Sequence, residues 1–124
     1  MSSSEGAVDR RALLDSAANP GSRLDYLVTL TVEIGAAKVR LRYVPDRLVL
    51  APGALAAYAV RLGDTPTSPE RLAITVLDDA SNEIVPRWIE VTVEASGAER
   101  HAVTVTDRQP AWSNPALLAR LEGL

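Results

Sequence analysis

His101 is the only histidine in the chain, and so the only side chain of the type that most often moves protons near neutral pH. It is read either as a weak acid–base candidate or as a strand surface residue. One histidine excludes the paired-histidine metal motifs. The absence of cysteine excludes a thiolate nucleophile, a disulfide framework and cysteine-held zinc or iron–sulfur sites. No metal and no cofactor are therefore expected. Ser68-Pro69-Glu70 offers a second feature: a capping serine, a proline at the first helical position, and an acid where the helix dipole favours an anion. Asp78-Asp79 is a carboxylate pair in sequence, but neighbours on a helix point about 100° apart, so it is read as a solvated face. Trp88 can be a stacking platform for a flat ligand or a core side chain, with core the favoured reading. Trp112, near the tail, is read as packing against a neighbouring subunit.

These residues need elements to position them. Leu24, Tyr26, Val28, Leu30, Val32 and Ile34 alternate with mostly polar residues, which predicts a long half-buried strand. Gly35-Ala36 turns the chain into a second strand with Val39, Leu41 and Tyr43 on one face, ended by Pro45-Asp46. Pro52 starts a helix over Ala54 to Leu62, and Gly63-Asp64 stops it. The second helix follows Ser68 and carries a stripe of Ala73, Val76, Leu77, Ala80 and Ile84, ending at Pro86. A second hairpin has Ile89, Val91 and Val93 on one strand and His101, Val103 and Val105 on the other. A short amphipathic turn, Pro115 to Leu121, closes the chain. The order is β-β-α-α-β-β: a four-stranded antiparallel sheet with two helices on one face. The other face carries Thr29, Thr31, Glu33, Lys38, Arg40, Arg42, Glu90, Thr92, Glu94 and Thr104 and is predicted to be solvated or to line a wide tunnel. Long, unguarded outer strands favour pairing with further copies.

Composition bounds the rest. One domain is expected from 124 residues, and 47% hydrophobic with 23% charged is globular. A net charge of −3 argues against nucleic acid as a partner. The opening Met-Ser-Ser-Ser-Glu lacks the basic and apolar regions of a secretory signal, and no stretch is long and apolar enough for a bilayer, so a cytoplasmic protein with no membrane contact is expected. Residues 1–21 are read as a flexible N-terminal arm, and 22–124 as the domain with its short helical tail.

Several local strings carry a resemblance. Arg23-Leu24-Asp25-Tyr26-Leu27-Val28, Tyr43-Val44-Pro45-Asp46, and Pro86-Arg87-Trp88-Ile89-Glu90-Val91 stand in one order over roughly residues 22 to 107. Leu55 and Tyr58 add a leucine and an aromatic between them. Together they resemble the tunnelling-fold (T-fold) superfamily, and within it the 7-cyano-7-deazaguanine reductases, NADPH-dependent nitrile reductases of queuosine biosynthesis. The resemblance implies an α+β T-fold whose subunits join into a β-barrel ring, a homo-oligomer. It also implies a glutamate gripping ring N–H groups of a purine-like substrate; the gap-free count back from Pro86 puts Glu70 there, with Pro69 in place of the family's histidine. Arg100 stands at the family's arginine before the last strand and would hold an anionic ligand group, with His101 as a second helper.

The departures remove the chemistry. Ile34-Gly35-Ala36-Ala37 joins the first two strands where the reductases insert the segment with their cysteine and aspartate. A thioimide adduct needs a thiolate, and this chain has none. The family's lysine-bearing cofactor motif falls on Ala51-Pro52-Gly53-Ala54-Leu55-Ala56. Two readings follow. One is a reductase-like T-fold protein without reductase chemistry that binds a small organic or heterocyclic ligand at a subunit interface through Glu70, Arg100 and Trp88. The alternative is a cofactor-independent cyclase, isomerase or lyase of a bacterial biosynthetic pathway. Its pocket would be lined by the small residues from Ala51 to Ala57.

Overall fold

Alternation dictates the sheet. In this computed structural model, which describes residues 9–121, strands β2 (Val28–Ile34), β3 (Ala37–Val44), β5 (Trp88–Ser96) and β6 (Arg100–Arg108) form an antiparallel sheet in the order β2-β3-β5-β6. Gly35, at φ +60°, makes the two-residue β2–β3 turn, which fixes Ile34 opposite Ala37 and Leu30 opposite Leu41. That register sends Val39, Leu41 and Tyr43 to the same side as Ile89, Val91 and Val93. Helices α1 (Ala54–Leu62) and α2 (Pro69–Ile84) cover this side with Leu55, Tyr58, Leu72, Ala73, Val76, Ala80 and Ile84. The expected stripe is there; Leu77 packs at its border and Leu72 extends it.

The local signals act as their chemistry requires. The Ser68 hydroxyl accepts the Arg71 N–H at 3.2 Å, and Pro69 is the first helical residue. Pro52 does not start α1; Gly53, at φ +81°, is the N-cap. Gly63 is fixed by packing, since a Cβ there would stand 3.1 Å from the Gly35 nitrogen and 3.2 Å from the Ala59 oxygen. The end of α1 thus rests backbone against backbone on the β2–β3 turn.

Four expectations change. The first strand starts at Val28 rather than Leu24, because Arg87 holds residues 22–25 out of the sheet. Its guanidinium donates to the carbonyls of Leu24 (2.8 Å) and Ser22 and to the carboxylate of Asp25 (3.1 Å). The arm expected over 1–21 is packed where it is described; residues 1–8, like 122–124, lie outside the described residues. Strand β1 (Ser16–Ala18) pairs with β4 (Leu48–Leu50), and Leu14 is buried in the main core. Part of the second face is not solvated, since α3 (Pro115–Leu121) lays Leu117 and Leu121 against Val44 and Trp88. Beneath it Arg42 is buried, donating to Glu90 Oε1 at 2.7 Å and to the Leu121 carbonyl at 3.2 Å. Finally, Trp112 packs within its own chain, its indole N–H donating to Asp25 at 3.1 Å.

Candidate functional site at the start of the second helix

The β5–β6 register brings the sequence candidates to one end of the sheet. Ala95 pairs with His101 and Ser96 with Arg100, so His101 faces the helices and Arg100 faces away. Glu70 projects from the first turn of α2, and His101 Nε2 lies 3.1 Å from Glu70 Oε2, where a ring N–H donates to the carboxylate. Both side chains remain accessible, 41% for His101 and 57% for Glu70. They are free to engage a ligand or a second chain.

Two hollows meet at this end. An apolar cleft of about 310 Å³ is walled by Ile34, Ala37, Leu62, Pro66, Pro69 and Leu72. Its floor exists because Gly35 and Gly63 approach without side chains. A shallower hollow of about 420 Å³ lies beside it between Pro69 and the β5–β6 turn, with His101 on its edge; Pro69, Ala95 and Ser96 border both. The apolar cleft thus adjoins a hollow edged by the imidazole, and the Glu70 carboxylate reaches these spaces through His101 while lining neither. Such a site can accept hydrogen bonds from a donor pair on a flat ligand, or relay a proton between the two side chains.

Arg100, on the opposite face, does not reach Glu70 within one chain. Trp88 is further still. It lies at the other end of β5, eight residues from Ser96, roughly 26 Å at strand rise. It is 7% exposed, with the Arg42 guanidinium 6.0 Å above its ring. Trp88 is a core residue here, and its ring has no open face for stacking.

Of the small residues from Ala51 to Ala57, Ala51, Pro52, Gly53 and Ala56 border a separate cavity of about 340 Å³ with Val28, Leu30, Tyr43 and Leu50, and Ala54 and Ala57 do not. It opens at the N-terminus of α1. Glu70 is not among its walls. No cation lines it. These residues do not fit a dinucleotide phosphate of the kind the reductases' lysines meet. Among the described residues no cluster of three or more acidic or histidine side chains could hold a metal ion. No described helix is long and apolar enough to cross a membrane.

The main polar centre is not the one the sequence suggests. Asp79 is fully buried, not solvated. Its Oδ2 accepts from the Tyr58 hydroxyl and from Arg10 Nε, both at 2.6 Å, and its Oδ1 accepts from Arg11 Nε at 2.6 Å. Burial, reinforced by the bond to Asp79, pushes the Tyr58 hydroxyl far above the usual phenol range. Asp79 raises the Arg10 guanidinium further, against the opposing effect of burial. A signal does exist: Leu72, Val76 and Asp79 lie on one helix face at the spacing of the core stripe. The Asp79 carboxylate is sealed from solvent, and it anchors the N-terminal segment through the two partly exposed arginines.

The same architecture recurs among known structures. The chain superposes on a crystal structure of the archaeosine synthase QueF-Like in its apo form. The TM-score is 0.55 at 20% sequence identity, covering 70% of this chain and 96% of that one. The chain is an α+β, T-fold-like protein, and its QueF-like resemblance holds in three dimensions. No family model matches the sequence, and no curated protein matches it either.

Proposed function

We propose that this chain is a T-fold subunit that binds a small organic molecule, a heterocycle with paired N–H donors, through Glu70. It carries out no nitrile reduction. The observation behind this reading is the Glu70 carboxylate at the start of α2, paired with His101, which borders the hollow that adjoins the apolar cleft through Pro69, Ala95 and Ser96. The missing cysteine rules out the covalent step on chemical grounds. The cleft is open on one side in a single chain, and β2 and β6 are edge strands of seven and nine residues. Pairing of these edges between copies, as in a T-fold ring, would close the cleft and bury the carboxylate.

A second reading has its own support. A carboxylate within hydrogen-bond reach of an imidazole is an acid–base pair that needs no cofactor. In that case the protein is a cofactor-free cyclase, isomerase or lyase working at the same cleft, and the ligand is turned over.

The test is calorimetric titration with guanine, 7-deazaguanine and 7-cyano-7-deazaguanine, repeated with Glu70→Gln. Losing a charged hydrogen-bond partner in a closed site weakens binding about ten- to a hundredfold. The exposed pair with His101 is worth at most about 1 kcal/mol of stability, so the melting temperature should barely move. Unchanged affinity in the variant would make Glu70 a helix-end residue and nothing more.

A further inference from the structure

On the far side of the Leu62–Thr67 loop from the apolar cleft lies a hollow of about 300 Å³ with a different character. It is lined by Arg10, Arg61, Arg71, Thr65, Thr67 and Thr75, with Leu62 the one apolar member. Arg61 comes from the last turn of α1, Arg71 from the first turn of α2, and Thr75 stands one helical turn beyond Arg71. Thr65 and Thr67 come from the loop between the helices. Arg10 is carried in by the N-terminal segment, fixed through its Nε to Asp79.

Three arginines and three threonines line this space, with no carboxylate among its walls. A guanidinium donates hydrogen bonds and accepts none, so the charged members of the lining can only donate, while the threonine methyls, the arginine stems and Leu62 make the rest of the wall apolar. Asp79 offsets Arg10, but among the described residues Arg61 and Arg71 have no ion-pair partner. That concentration is unusual in a chain of net charge −3. The helix N-terminus is not what makes the site, because Ser68 already caps the Arg71 N–H. Side chains from both helices, the loop between them and the N-terminal segment converge there. We infer that this hollow binds a phosphate group, free or as the monoester of an organic ligand, with Arg61 and Arg71 as its forked partners and the threonine hydroxyls completing the cradle. The site stands independently of the role assigned to Glu70.

The test follows backbone amide shifts of the isotopically labelled full-length protein. Inorganic phosphate, phenyl phosphate or acetate is titrated at constant ionic strength. Saturable shifts at Thr65, Thr67, Arg71 and Thr75 with either phosphate, and none with acetate, are expected. A tighter fit for phenyl phosphate assigns an organic ester, and equal affinities assign the free anion. Arg61→Gln combined with Arg71→Gln should weaken binding about tenfold or more. It should leave the melting temperature in place, since neither side chain has an ion-pair partner to lose among the described residues. Arg47→Gln, outside the hollow, should change nothing. Shifts that fail to saturate, spread equally to Arg23 and Arg120, or survive in the double variant would mean an adventitious ion only. Any of these overturns the assignment.

Discussion

Replacing Arg10 and Arg11 together by glutamine tests how the N-terminal segment is held. Asp79 is fully buried and accepts hydrogen bonds at 2.6 Å from each arginine Nε, plus a longer one of 3.3 Å from the Arg10 terminal nitrogen. With both cations gone, only the Tyr58 hydroxyl remains to meet the buried carboxylate. Stripping a buried charge of its partner costs about 3–5 kcal/mol. The arginine side chains are 25% and 29% exposed, so water recovers part of that, and about 2–4 kcal/mol is the expected loss. A domain of this size has roughly 5–15 kcal/mol in total. With a urea slope of about 1–3 kcal/mol per molar, the unfolding midpoint should fall by about 1–2 M. Each single variant should lose less than half as much, because one cation stays. In an Asp79→Asn background the arginine replacements should cost under about 1 kcal/mol, a coupling that the double-mutant cycle reads directly. Trypsin cleavage after Arg10 and Arg11 should also speed up in Asp79→Asn. A double variant whose midpoint stays within about 0.3 M of the parent would refute the latch, and the segment would then be the free arm that its composition predicts.

Three further outcomes are expected. Incubated with 7-cyano-7-deazaguanine and NADPH, the protein should leave nicotinamide absorbance unchanged; steady, enzyme-proportional oxidation coupled to amine formation would overturn the chemical argument. Light scattering at micromolar concentration should give several times 13.2 kDa, whereas a clean monomer would remove the edge pairing on which the closed cleft depends. Burial opposes ionisation of Asp25, but hydrogen bonds from Asn114, Trp112 and Arg87 outweigh it and hold the carboxyl below the ordinary aspartate range. A depressed folded-state pKa adds stability that is complete above the unfolded value of 3.8 and lost as pH falls below it. Asp25→Asn should therefore cost more at pH 6 than at pH 3, the difference growing as pH falls from 3.8 through the lower folded value, measured by thermal unfolding; an equal loss at both would deny the carboxylate its role.

How much of this the sequence discloses depends on the length of each signal. β3, α1, α2 and β5 are long enough for period two or 3.6 to emerge, and their boundaries follow Gly35, Gly63, Ser68 and Pro86. β1 and β4, three residues each, carry no period at all. Asp79 defeats the reading by type because its chemistry says surface while its spacing says core, and spacing wins when Tyr58, Arg10 and Arg11 arrive from elsewhere to pair with it. The strings behind the family resemblance turn out to be spatial neighbours. Arg87 reaches Asp25 at 3.1 Å and Asp46 at 3.2 Å, and Gln109 adds a bond to Asp46 at 3.0 Å. They form a clasp joining the entry to β2, the exit of β3 and the start of β5. Such residues report a shared fold, which explains why the likeness persists where the catalytic segment and the lysines do not. At the site, Glu70 and His101 are legible singly. Their contact is not, because it depends on the β5–β6 register as well as on the α2 cap.

The central claim is that Glu70 anchors a small-molecule ligand in a cleft completed by a second copy of the chain. An experimental structure of the assembled protein with the tightest-binding deazaguanine tests it most directly. The expected complex has the heterocycle on the apolar floor between Leu62 and Pro69, its ring N–H groups within hydrogen-bond distance of the Glu70 carboxylate, and an edge strand of a neighbouring copy closing the open side. A ligand seated in the cavity bordered by Ala51 and Gly53, or a Glu70 facing bulk solvent in the complete assembly, would contradict it.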